Sequence, residues 1–260
     1  MTVEAALRAA RDRGRKLLVP YLTGGLDRGW CEVLRAVAEA GADAVEIGIP
    51  FSDPVMDGPT IQEASASALE RGATPVSVLE DVRGVDAGVP LIAMTYYNLV
   101  HRAGEARFAG SLAAAGVTGA VIPDLPLEES VGWEAAAAAA GVDAVLLAAP
   151  VTPDERLARI CERSRGYIYA VGRMGITGER ASVAESTAVI AERLKAMTDK
   201  PVLVGFGIST PGQAVEVARA ADGVIVGSAL VRILLDGGGP EDAAAFVRSL
   251  RDALDAAFAT

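Results

Sequence analysis

Eight times over, the chain alternates between a short apolar segment and a longer stretch rich in alanine, glutamate and arginine, and that alternation leaves few folds open. The apolar segments are Lys16–Thr23, Ala44–Ile49, Pro90–Tyr96, Gly119–Asp124, Ala144–Pro150, Tyr167–Gly172, Pro201–Gly207 and Gly223–Leu230. Between them lie helical patterns at Trp30–Ala40, Glu105–Ala115, Glu128–Ala140, Pro153–Arg163, Val183–Met197 and Pro211–Ala220, and a last one runs from about Pro240 to Phe258. Nearly continuous apolar strands separated by helices call for a parallel sheet covered by helices. Four junctions share one grammar: A-G-A-D-A-V-E-I, A-G-V-T-G-A-V-I, A-G-V-D-A-V-L-L and A-A-D-G-V-I-V-G. An alanine-rich helix end is followed, usually, by a glycine stop, which closes a helix by taking the left-handed conformation, and then by a β-branched strand. Eight repeated βα units favour a closed (β/α)8 barrel, a TIM barrel, over an open doubly wound sheet. No linker or change of composition interrupts the pattern, so residues 1–260 read as one α/β domain. An amphipathic helix precedes the first strand, and short extra helices are expected in the βα loops.

Composition narrows the function. Half the residues are hydrophobic (51%) but only 5% are aromatic, so the core rests on Ala, Val, Leu and Ile. A net charge of −10 argues against a nucleic-acid or anionic-membrane surface, though backbone N–H groups at a helix N-terminus can still hold a phosphate. The N-terminus lacks a signal core, and no apolar run approaches the roughly 18–20 residues of a membrane span. Cys31 and Cys161 have no metal-site spacing, which fits a reduced, cytoplasmic setting. His101, the single histidine, is expected to be an ordinary loop residue. Its solitude removes histidine triads and His-based zinc sites.

In such a barrel the chemistry sits where strands end and βα loops begin. The segment E-I-G-I-P-F-S-D-P-V-M-D-G-P-T-I-Q, Glu46 to Gln62, puts a carboxylate inside an apolar strand and a second on a loop stiffened by prolines. A buried, unpaired carboxylate is costly, but its raised pKa suits it to give and take protons in turn. Asp57 would stay ionised and stabilise positive charge. The plainer alternatives are an arginine partner for Glu46 and a helix-capping role for Asp57 before Pro59. Asp53, in Ser-Asp-Pro, reads as loop structure or a partner contact. G-F-G-I-S-T-P and G-V-I-V-G-S-A-L end the seventh and eighth strands and precede helices, the usual place for a phosphate in this fold. Arg173–Ser182 has the glycines of a lid. Tyr21, Tyr96, Tyr97, Tyr169 and Phe206 gather at one end of a chain poor in aromatics, which points to a planar apolar ligand. The residues alone reach a phosphorylated substrate with an aromatic portion, two carboxylates and no requirement for a metal.

V-E-I-G-I-P-F-S-D-P-V-M-D-G-P-T-I-Q resembles the signature of the tryptophan synthase α subunit family. So, in the right order, do M-T-Y-Y-N, P-D-L-P-L-E-E-S, R-G-Y-I-Y, G-I-T-G-E-R, G-F-G-I-S and V-G-S-A-L, from about Lys16 to Leu235. The resemblance implies retro-aldol cleavage of indole-3-glycerol phosphate to indole and glyceraldehyde 3-phosphate, without a cofactor in this subunit. It implies Glu46 as acid–base residue and Asp57 as the anion that stabilises the indole nitrogen. Tyr169 falls beside the glutamate, and Tyr21, Tyr96 and Phe206 around the indole. Gly178, Gly207, Gly227 and Ser228 match the phosphate site, and Thr177 the lid threonine that closes onto the aspartate. The implied partner is a pyridoxal-phosphate β subunit in an α2β2 tetramer, receiving indole through a tunnel and contacted by Asp53, Pro54 and Met56. Met56 and Met174 depart mildly from the family pattern, at positions facing the partner and lid. Alternatives are an isomerase-type phosphate barrel of tryptophan or histidine biosynthesis, or a mainly allosteric binding subunit.

Overall fold

The computed structural model describes residues 2–172, 183–205 and 207–259. Among them eight parallel strands close into a barrel in chain order, the last pairing with the first. They are β1 (Leu17–Thr23), β2 (Val45–Gly48), β3 (Leu91–Met94), β4 (Val117–Val121), β5 (Asp143–Ala148), β6 (Ile168–Val171), β7 (Val202–Gly205) and β8 (Gly223–Val226). Around them lie α1 (Val3–Arg11), α2 (Trp30–Glu39), α3 (Pro59–Glu70), α4 (Pro75–Val82), α5 (Tyr97–Ala103) and α6 (Glu105–Ala114). The second half supplies α7 (Val131–Ala140), α8 (Asp154–Arg163), α9 (Val183–Lys195), α10 (Pro211–Ala218), α11 (Ser228–Leu235) and α12 (Pro240–Ala257). This is the (β/α)8 architecture that the alternation predicts. Among the described residues no helix is long and apolar enough to cross a membrane.

Strand side chains divide into two apolar layers. Leu17, Val19, Ile92, Val121 and Leu203 pack inside the barrel, while Leu18, Leu22, Val45 and Ile47 pack outward against the helices. Successive strand residues face opposite sides, so Glu46, between Val45 and Ile47, points into the barrel. The N-terminal strand ends are plugged by α1, whose Val3 and Leu7, one turn apart, are fully buried in the inner cluster. Each contributes about 1.5–3 kcal/mol of burial. The junction glycines behave as their sequence predicts: Gly41, Gly116 and Gly141 sit at φ of 110°, 81° and 73°.

Several element bounds differ from the sequence expectation; β8, read to Leu230, stops at Val226, and α11 begins at Ser228. β4 begins at Val117 rather than Gly119, because a register shift between Leu91 and Ile92 lets Val117 pair with Leu91. It ends at Val121, before Pro123, whose nitrogen carries no ladder donor. β3 stops at Met94, and the chain turns into α5, whose first residue, Tyr97, donates its N–H to Asp124 Oδ1 at 2.9 Å. That cap comes from 27 residues downstream. His101 consequently lies on an exposed helix rather than in a loop. α4 is a further helix, started by a reciprocal capping box between Thr74 and Ser77.

Candidate active site

Glu46 is completely buried, and Tyr21 and Ile92 are its register neighbours on β1 and β3. Its Oε1 accepts a hydrogen bond of 2.6 Å from the Tyr167 hydroxyl, and among the described residues Oε2 has no partner. Among those residues it makes no salt bridge, so the arginine alternative is not what the structure holds. Burial pushes its pKa up to about 7, with the Tyr167 hydrogen bond opposing the shift. The neutral acid therefore persists to near neutrality.

Asp57 precedes α3, but Gly58 occupies the cap position and makes no side-chain cap bond. The carboxylate is free of capping duty. Its backbone is held instead: its N–H donates to Pro54 O at 3.0 Å, and Gln62 Nε2 donates to its carbonyl at 2.8 Å. Partial burial raises its pKa to about 6, opposed by a hydrogen bond from Tyr96. Burial thus raises both carboxyls above the ordinary carboxylate range, and it is the first cause in each case.

Both acids line one cavity of about 410 Å³. Tyr21 and Tyr169 both line it, each close against a glycine of a neighbouring strand. A Cβ at Gly48 would overlap the Tyr21 hydroxyl, and one at Gly205 the Tyr169 hydroxyl. Burial holds both phenols protonated well above the ordinary range. Gly207, Gly227 and Ser228 line the same cavity, with Gly227 against Tyr21. Gly227 caps α11 and Ser228 begins it, so the first N–H groups and the positive end of the helix dipole meet the cavity there. Gly207 sits at φ 57° with open space where a side chain would project.

Tyr96 is placed differently from the expectation. It does not line the cavity; its hydroxyl accepts from Met56 N at 2.9 Å and its ring stacks on Phe51 at 5.0 Å. It secures the loop that carries Asp57. On that loop Asp53 and Met56 are exposed and Pro54 half-buried, and Val55 is 80% exposed. Met56, Pro123, Leu147 and Val171 line both the main cavity and an adjoining one of about 470 Å³. Thr177, Gly178, Phe206, Met174 and the Arg173–Ser182 lid lie outside the described residues.

Tyr167, which bonds Glu46, is the side chain of this site that sequence reading passed over. Its signal was present: in Y-I-Y, Tyr167 and Tyr169 are two apart at a strand start and so share the inward face.

A family model for the tryptophan synthase alpha chain matches residues 7–256. The chain belongs to that family. A tryptophan synthase alpha chain of Streptomyces avermitilis is 45% identical over 249 residues, spanning 94% of this chain and 89% of the relative. One from Methanosarcina acetivorans is 47% identical over 224 residues, 85% and 82% of the two chains. Among solved structures, a tryptophan synthase from Mycobacterium tuberculosis superposes with a TM-score of 0.89 at 39% identity, covering 97% of each chain. A tryptophan synthase alpha chain from Legionella pneumophila gives 0.88 at 33% identity and full coverage of both. The family is one of lyases acting on indole-3-glycerol phosphate, so neither the isomerase nor the purely allosteric alternative is favoured.

Proposed function

We propose that residues 1–260 form one barrel domain that cleaves indole-3-glycerol phosphate at this cavity, with Glu46 and Asp57 as the catalytic pair. The observation that carries the reading is two carboxyls of raised pKa lining one cavity together with the N-terminus of α11. The neutral Glu46 carboxyl protonates the ring carbon bearing the glycerol chain. The ring nitrogen becomes cationic, and the Asp57 carboxylate stabilises it. The Glu46 carboxylate then takes the proton of the hydroxyl on the adjacent chain carbon. The oxygen's electron pair forms the carbonyl of glyceraldehyde 3-phosphate, the carbon–carbon bond breaks, and its electrons return to the ring as indole. Glu46 ends protonated, ready for another cycle.

Tyr21 and Tyr169 flank the aromatic portion, and Gly207, Gly227 and Ser228 hold the phosphate. Phe206, Thr177 and Gly178 join them by resemblance, and Tyr96 serves by securing the Asp57 loop. The partner is a tryptophan synthase β subunit in an α2β2 assembly, met by Asp53, Pro54 and Met56, and the setting is cytoplasmic. The exposed apolar tip of that loop and the cavity adjoining Met56 support a route for indole towards the partner. The deciding experiment is indole release from indole-3-glycerol phosphate by the purified chain, alone and with a β subunit. Slow release that accelerates with β is expected. No release in either condition would leave a phosphate-binding barrel with another substrate.

A further inference from the structure

Two side chains outside the cavity link the helix that follows Asp57 to the helix proposed to receive the phosphate. Asp57 is bonded to the first turn of α3 through Gln62, and the proposed phosphate site is the first turn of α11. These helices meet in a small apolar cluster distinct from the barrel interior and the helix shell, built on Tyr21, Leu26, Ala64 and Val231. Ala64 of α3 and Val231 of α11 are both fully buried there. On the rim, Arg232 of α11 donates to Glu63 Oε2 at 2.6 Å and reaches Thr60 Oγ1 at 3.4 Å, both on α3. Thr60 and Tyr21 line the cavity as well as belonging to this junction. One interlocked contact therefore joins the element that presents the acid to the element that would receive the phosphate.

We propose that α3 and α11 move as one body, clamped by Val231 and Arg232, and that these two are positioning residues fixing Asp57 relative to the phosphate end. The inference rests on the lyase reading above. It gives the distant phosphate a part in the chemistry: binding energy collected at α11 holds α3, and with it the carboxylate, in register with the ring nitrogen. Arg232 acts through its bonds to α3 and touches no reacting atom.

The test uses R232M, R232K and V231A in the full chain, with inorganic phosphate as probe for the α11 end. For R232M, kcat should fall by up to about fivefold, the range open to an exposed ion pair. Phosphate affinity should stay within about twofold of the unsubstituted chain, since backbone N–H groups make that site. R232K, which keeps a cation for Glu63, should recover much of the loss. V231A should lower kcat and thermal stability together. Hydrogen exchange supplies a readout independent of turnover. Saturating phosphate should slow exchange of the Gln62 amide in the unsubstituted chain, and R232M/V231A should lose that protection while α11 keeps its own. Unchanged kcat in R232M and V231A, or Gln62 protection that survives in the double variant, would overturn the clamp. If the unsubstituted chain released no indole while phosphate still protected Gln62, the lyase reading would fall and the mechanical link would stand.

Discussion

Replacing Tyr167 by phenylalanine tests the proton chemistry at its most specific point. The hydroxyl donates to Glu46 Oε1 at 2.6 Å and lowers a pKa that burial alone would raise further. A hydrogen bond to a charged acceptor is worth about 1.5–3 kcal/mol, against about 0.5–1.5 for a neutral one. The difference of about 1–1.5 kcal/mol is the stabilisation specific to the carboxylate, about one pKa unit at 1.36 kcal/mol per unit. The sign follows directly: losing a donor that favours the charged form raises the pKa, so the neutral acid survives to higher pH. For the unsubstituted chain, ionised Asp57 with neutral Glu46 gives a bell in kcat/KM with limbs at about 6 and about 7. In Tyr167→Phe the alkaline limb should move to about 8, raising activity at pH 8, relative to each enzyme's own maximum, about fourfold. The assay is indole release at substrate well below KM, from pH 5 to pH 9. An alkaline limb that stays put would mean that the limb is not Glu46. A limb that moves down would mean that Tyr167 stabilises the neutral acid instead.

Three further substitutions probe the rest of the site. Glu46→Gln should abolish indole release, and more than a few per cent of residual rate would remove Glu46 from the mechanism. It should also alter stability with a definite sign. The native acid binds its proton more tightly than an ordinary glutamate, whose pKa is about 4.5, so its burial costs stability as pH rises from about 4.5 to about 7. The variant should thus gain on the unsubstituted chain by up to about 3 kcal/mol between pH 4.5 and pH 8 in denaturant titrations, and no gain would contradict the raised pKa. Asp57→Asn should cut kcat severely with substrate affinity little changed, because the cap at Gly58 does not depend on it; an unaltered kcat would deny it the charge-stabilising role. Gly207→Glu should weaken substrate binding, by adding strain at φ 57° and a negative charge beside the phosphate end; unchanged KM would place the phosphate elsewhere.

What could be read from the sequence followed from local causes, and what escaped depended on distant ones. The eight strands, the junction glycines and the inward turn of Glu46 are all consequences of short-range periodicity and of glycine's left-handed conformation, which a sequence displays openly. α4 is the exception, passed over although the Thr-Pro-Val-Ser start that forms its capping box is a local signal. α5 was not legible, because its first N–H is satisfied by Asp124 from beyond β4, and no residue at its own N-terminus announces a helix. The same distinction runs through the site. The acid pair and the phosphate glycines are signalled by a costly carboxylate in an apolar strand and by glycines at two adjacent strand ends. Whether Asp57 caps a helix or faces a substrate depends on Tyr96, 39 positions on, holding its loop from the side. That Glu46 is tuned by a phenol rather than paired with an arginine depends on β6 lying across the barrel from β2. The Tyr167–Glu46 bond spans 121 residues of chain, and only the closure of the barrel makes the two neighbours. The identities of the reacting groups are thus local properties of this chain, while their pKa values are properties of its topology, which is why the pH profile of Tyr167→Phe tests the fold and the chemistry together.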